Sequence, residues 1–158
     1  MPFLERPLQP RLYYEIDDYT DPWKDAPYIL LLHGYARSGK FWRFCVPYLA
    51  RFYKVIRLDL RGQGQSDSNF DLDKGINFEA YIDDFTALLD HLGIESAHCC
   101  GESSAGTLGL GFAAERPQRV RTLSVISSPV FMTEVDKQSA LHDHPDRVHA
   151  LRAMSARG

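Results

Sequence analysis

The stretch CCGESSAGTLGLGFAAE, residues 99–115, holds the side chain best placed for covalent chemistry. An apolar run ending at Cys100 gives way to a turn of small residues and then to a helical pattern. A serine on such a strand-to-helix turn is presented as a nucleophile in the pattern G-x-S-x-G. The chain reverses so sharply there that the residues two before and two after the serine must be small. Gly101 and Ala105 flank Ser103 in this way, whereas Ser104 would be flanked by Glu102 and Gly106, and Glu102 is too large. Ser103 is the predicted nucleophile. Ala105 departs from the pattern by one methyl group, with Gly106 beside it to relieve crowding. The turn opens a helix, whose first N–H groups lack intrahelical partners and favour negative charge. The Ser104 N–H is therefore expected to donate to a carbonyl oxygen as it becomes an oxyanion.

A second stretch, LLHGYARSGKFW at residues 31–42, admits two kinds of chemistry. Gly34 and Gly39-Lys40 supply seven of the eight positions of a phosphate-cradling loop, between a strand pattern and a helix pattern. Val55–Asp59 even resembles an apolar strand whose aspartate helps hold magnesium. Against that, Phe41 stands where a metal-binding Ser or Thr belongs, and His33 has no task. The other reading starts from His33-Gly34 at the end of an apolar run, as the loop that completes an oxyanion site starts in many serine hydrolases.

These residues need a frame to hold them. Leu12–Asp18 reads as a partly exposed strand, and Tyr28–Leu32 is apolar throughout, as a strand covered on both faces must be. Lys54–Leu60, Ser96–Cys100 and Val120–Ser127 read as further strands. Between them, Lys40 to Phe52 carries Phe41, Phe44, Cys45 and Tyr48 at helical spacing. Phe78–Leu92 places Phe78, Ile82, Phe85, Leu88, Leu89 and Leu92 on one helical face, with Gly93 as its stop. Ser104–Glu115 is a third helix, ending near Pro117. Strand–helix alternation at this spacing predicts an α/β fold with a predominantly parallel, doubly wound sheet.

Three blocks together resemble the α/β-hydrolase superfamily, in its cofactor-free branch of serine esterases and lactonases. They are His33-Gly34 after Tyr28–Leu32, DLRGQGQSD at 59–67 after the next strand, and GESSAG at 101–106. Their order and spacing are similar to the third, fourth and fifth strands of that fold, and the resemblance covers residues 10–130. It implies that residues 33–42 form the oxyanion loop, with the Tyr35 N–H opposite that of Ser104, and that the Gly39-Lys40 match is coincidental. His33, Gly34, Gly101, Ala105 and Gly106 are then structural, and Arg61 and Asp67 brace the RGQGQSD loop. Serine at position 103 sets the chain apart from relatives with an aspartate nucleophile, such as epoxide hydrolases and haloalkane dehalogenases.

A serine hydroxyl needs a histidine to take its proton and a carboxylate to orient that histidine. In the resembled family both follow the later strands, in the order Ser, acid, His. After Ser103 there remain 55 residues, and the segment after Val120–Ser127 continues Ser127-Ser128-Pro129 with no acid. The tail HDHPDRVH at 142–149 offers histidines and aspartates, but Pro145, Val148, Leu151 and Met154 pattern as the start of a helix. The resemblance makes residues 1–130 the N-terminal part of a hydrolase core and 131–158 the start of a cap or connecting region. The expected function is a serine-dependent hydrolase of an ester, lactone or related acyl bond, acting on a small molecule, with an incomplete triad and no metal or other cofactor. A non-catalytic relative or half of a two-chain assembly is the alternative, and nucleotide binding a distant one. Without further strands, Val120–Ser127 would be an exposed apolar edge.

A net charge of −3 over 158 residues gives no electrostatic footing for nucleic acid or an anionic membrane. No apolar run approaches the ~20 residues that span a bilayer, and MPFLERPLQPR breaks any signal-peptide pattern with charges and prolines. The three cysteines are odd in number, and Cys99 and Cys100, as strand neighbours, point to opposite faces. Free thiols in a reducing, cytoplasmic setting are expected.

Overall fold

The computed structural model describes residues 2–71 and 75–129. Six strands form one sheet in the order β1-β2-β4-β3-β5-β6. They are β1 Phe3–Leu4, β2 Leu12–Asp17, β3 Tyr28–Leu32, β4 Lys54–Leu58, β5 Ala97–Glu102 and β6 Val120–Ile126. β1 and β2 pair antiparallel, β2 joins β4 antiparallel, and β4, β3, β5 and β6 run parallel. The sheet is the predicted α/β type. Only the two-residue β1 was not anticipated, being too short to show a periodicity.

Side-chain alternation divides the core between the sheet's two faces. Leu30, Leu32, Ile56, Leu58 and Cys99 face one cluster, and Leu31, Val55 and Cys100 face the other. The adjacent cysteines do point apart. On the first face lie α2 (Phe78–His91) and α3 (Ser104–Glu115), joined by the rings of Phe85 and Phe112 at 5.6 Å. Asn77 caps α2 by accepting from the Ala80 N–H at 2.9 Å, and Gly93, at φ +67, stops it.

The second face shows a correction. The expected helix over residues 40–52 is a 3₁₀ segment, Gly39–Phe44, followed by a single α turn, α1 (Val46–Leu49). Pro47 has no N–H to continue a hydrogen-bond ladder, so the chain resets at Cys45. Three residues per turn also rotate the faces. Trp42, Val46 and Ala50 are buried, while of the expected stripe Cys45 packs against them but Phe44 is 70% and Tyr48 78% exposed.

β3 is flanked by β4 on one side and β5 on the other, so the strand order reverses about it. Leu32 aligns with Gly101, which brings the carboxyl ends of β3 and β5 side by side. A crevice beyond such ends is where ligands bind in open α/β sheets.

Candidate active site

β5 runs on through Glu102 and α3 begins at Ser104, so the whole turn is one residue, Ser103, at φ 57 and ψ −130. Gly101 and Glu102, expected in the turn, close the strand. A positive φ is costly for a residue with a side chain, and surrounding structure must hold it. Here the Ser103 N–H donates to the Ile126 carbonyl at 2.9 Å, and the Ser103 carbonyl accepts from the Gly106 N–H at 3.0 Å.

The small-residue rule has a visible cause. A Cβ on Gly101 would lie 2.6 Å from the Ala105 oxygen and 2.7 Å from the Gly106 Cα, and one on Gly106 would strike Ser128. Crowding thus falls on Gly101 and Gly106. Ala105 is tolerated because its methyl group is fully buried in the apolar cluster and not in the turn. Ser104 is the first residue of α3, so its N–H has no acceptor one helical turn earlier.

The loop after β3 is pressed against this turn. A Cβ on Gly34 would lie 2.8 Å from Ser103 Cβ and 2.5 Å from Glu102 Oε2. Tyr35 follows, half-buried, and Ala36 takes φ 57. His33 is fully buried, with Nδ1 2.8 Å from the Gly34 carbonyl and Nε2 3.0 Å from the Leu60 N–H. Leu60 can only donate, so Nε2 accepts and Nδ1 carries the proton, assigning the tautomer. Burial holds His33 below its ordinary value of 6.5, with the Gly34 bond partly opposing. With both nitrogens engaged, this ring has no free lone pair to take a proton from Ser103.

The second glycine of the phosphate-loop pattern is occupied too. The Gly39 N–H donates to Asp59 Oδ1 at 2.5 Å, and the Gln65 N–H donates to Asp59 Oδ2 at 2.7 Å. Asp59 is buried and Lys40 exposed. The N–H and carboxylate that a nucleotide and its magnesium would need are spent on each other.

Arg61 and Asp67 both tie down the RGQGQSD loop, through separate partners. Buried Arg61 forks onto Asp84 of α2 at 2.6 and 2.7 Å, and Asp84 also takes Arg6. Asp67 accepts from Arg11 at 3.0 and 3.1 Å. Sequence reading missed Asp84, whose partners lie far off in the chain. It also treated Glu102 only as too bulky to flank a nucleophile, whereas the carboxylate accepts from the Gly34 N–H at 3.2 Å. A lone charge inside GESSAG was the available signal.

The other polar candidates are engaged away from Ser103. His98 Nδ1 lies 2.8 Å from Thr122 Oγ1, and the His91 ring packs against Tyr14. Burial pushes the Cys99 thiol up to about 12 and raises that of Cys100, which disfavours the thiolate at both. Among the described residues no group of three or more His, Cys, Asp or Glu is placed to hold a metal ion. No helix among them is long and apolar enough to cross a membrane. His142, His144 and His149, with the rest of 131–158, lie outside the described residues.

Comparison with known proteins agrees with this fold. The family model described as alpha/beta hydrolase fold matches residues 27–156. A strigolactone esterase of Pisum sativum is 28% identical over 131 residues, covering 82% of this chain and 49% of the esterase. A haloalkane dehalogenase of Mesorhizobium japonicum is 30% identical over 141 residues, covering 89% of this chain and 43% of the dehalogenase. Among solved structures, an α/β hydrolase from Novosphingobium aromaticivorans superposes with a TM-score of 0.69 at 27% identity, over 78% of this chain and 42% of that one. The chain thus spans less than half the length of each of these relatives. It belongs to the α/β-hydrolase fold family.

Proposed function

We propose that this chain is the nucleophile-bearing part of a serine hydrolase acting on a carboxylic ester, lactone or related acyl bond of a small molecule. The relatives' names include an esterase and a dehalogenase, two different chemistries, so the reading rests on the site. The observation that carries it is Ser103 alone at φ 57 between β5 and α3, against the loop that holds Tyr35. Ser103 Oγ attacks the carbonyl carbon, and the N–H groups of Tyr35 and Ser104 receive the negative oxygen. The serine proton passes to a histidine oriented by an acid. Since His33, His91 and His98 are engaged elsewhere, residues outside 2–71 and 75–129 supply that pair, and the 158-residue chain alone is inactive. Residues 131–158 begin the cap or connecting region, and the free thiols support a cytoplasmic setting.

The test is hydrolysis of p-nitrophenyl butyrate by the full-length protein from its natural source. Ser103→Ala should cost about 10⁴-fold or more in kcat, and Ser104→Ala less than about tenfold. Unchanged turnover in Ser103→Ala would remove the serine from the mechanism. One observation favours a second reading, a non-catalytic half of a two-chain assembly: most of β6 is exposed. An intact mass of 18.0 kDa for the native protein, with a partner chain co-purifying, would favour it.

A further inference from the structure

The loop that carries Tyr35 is strained at its centre and held on both sides by one side chain. Ala36, at φ 57, sits in a backbone region that side-chain-bearing residues leave unless neighbours restrain them. On one flank the Gly34 N–H donates to Glu102 Oε2 at 3.2 Å. On the other, Arg37 Nε lies 3.8 Å from the same oxygen, and its guanidinium stands 4.2 Å over the Phe41 ring. The Glu102 side chain is only 13% exposed, so its charge rests between a backbone dipole and a cation. Nothing about the turn itself requires a glutamate, because the crowded positions are Gly101 and Gly106.

We propose that Glu102 is a positioning residue: its carboxylate clasps Gly34 and Arg37, and so fixes the Tyr35 N–H that lies between them toward the acyl oxygen on Ser103. The inference rests on the serine-hydrolase reading above. Arg37 has a second task in it. A carboxylate beside a developing oxyanion repels it unless neutralised, and the Arg37 guanidinium supplies the opposite charge. Glu102 therefore acts through the loop, with no contact to the substrate, and its loss is felt where the oxyanion forms and not where the substrate binds.

The experiment uses the full-length protein with p-nitrophenyl butyrate, comparing wild type, S103A, Glu102→Met and Glu102→Gln. Methionine keeps the length of the side chain and removes the acceptor, while glutamine keeps a carbonyl oxygen for the Gly34 N–H. Glu102→Met should lose about 100-fold in kcat, the scale of one misplaced oxyanion donor, with KM within about threefold. Glu102→Gln should stay within about tenfold of wild type. Affinity for butaneboronic acid, which mimics the tetrahedral species, should fall in step with kcat/KM. Wild-type kcat in Glu102→Met, or a change confined to KM, overturns the proposal while S103A inactivity keeps the serine reading. Turnover that survives S103A, or is absent from wild type, overturns both. Should Glu102→Met fail to fold, hydrogen exchange at the Gly34 amide of wild type decides: slow exchange supports the clasp, and exchange at the unstructured rate overturns it.

Discussion

The paired ends of β3 and β5 and the neighbouring strand β6 are built in opposite ways. At the first, His33, Asp59 and Arg61 are buried, and each places its polar atoms on named partners. Along β6, only Val120 and Leu123 are partly covered, and Arg121, Thr122, Ser124, Val125 and Ile126 face outward. The loop pressed against Ser103 is thus fixed by bonds within residues 33–102, while the turn at Ser103 leans on β6. β6 pairs along β5 up to the site, Gly101 with Val125 and Glu102 with Ile126, and the Ser103 N–H reaches the Ile126 carbonyl at 2.9 Å.

The contrast can be broken by substitution. Asp84→Ala strands two arginines on the braced side, one of them buried, and should cost about 3–5 kcal/mol in urea unfolding. A loss below about 1 kcal/mol would mean that the Arg61 anchor is dispensable. Gly34→Ala drives a methyl group toward Ser103 and Glu102, which should cost about 1–3 kcal/mol and lower turnover of the full-length protein together with it. Wild-type activity in that variant would separate the loop from the turn.

The pH dependence sharpens the same contrast. His33 is held neutral by burial, so its folded value lies below the ordinary 6.5 and the unfolded chain binds the extra proton first. Its stabilising contribution is complete above pH 6.5 and declines as pH falls, by at most about 1.4 kcal/mol per unit, until the folded ring titrates. His33→Gln should remove that slope below pH 6.5. An identical slope in the variant would assign it elsewhere. The smallest effect belongs to β6, where Val125→Thr in the 158-residue chain should stay within about 0.5 kcal/mol because the side chain there meets solvent. A cost near 2 kcal/mol would show β6 to be covered in solution.

Much of the braced region was legible in the sequence because its causes are local. The reversal at Ser103 demands small neighbours within a few residues, and Gly101 before it with Ala105 and Gly106 after it declare it. The apolar run of β3 declares a strand covered on both faces. What escaped depends on distance or on a break in period. Asp84 meets Arg61 across 23 residues and Arg6 across 78, and Glu102 meets Gly34 across 68. No spacing rule connects such pairs. The stripe over residues 40–52 was misread because Pro47 splits the segment and the 3₁₀ turn shifts its faces. Ala105 was read as a strained substitute, whereas its methyl group is part of the core.

The central claim is that Ser103, and not its neighbour Ser104, is an activated nucleophile. The most direct measurement is covalent labelling of the full-length native protein with a fluorophosphonate, followed by mass analysis of the peptide that contains residues 99–115. The account predicts one phosphonyl group on Ser103, absent after heat denaturation and absent in Ser103→Ala. Labelling on Ser104, or none on either serine in the folded protein, would contradict it.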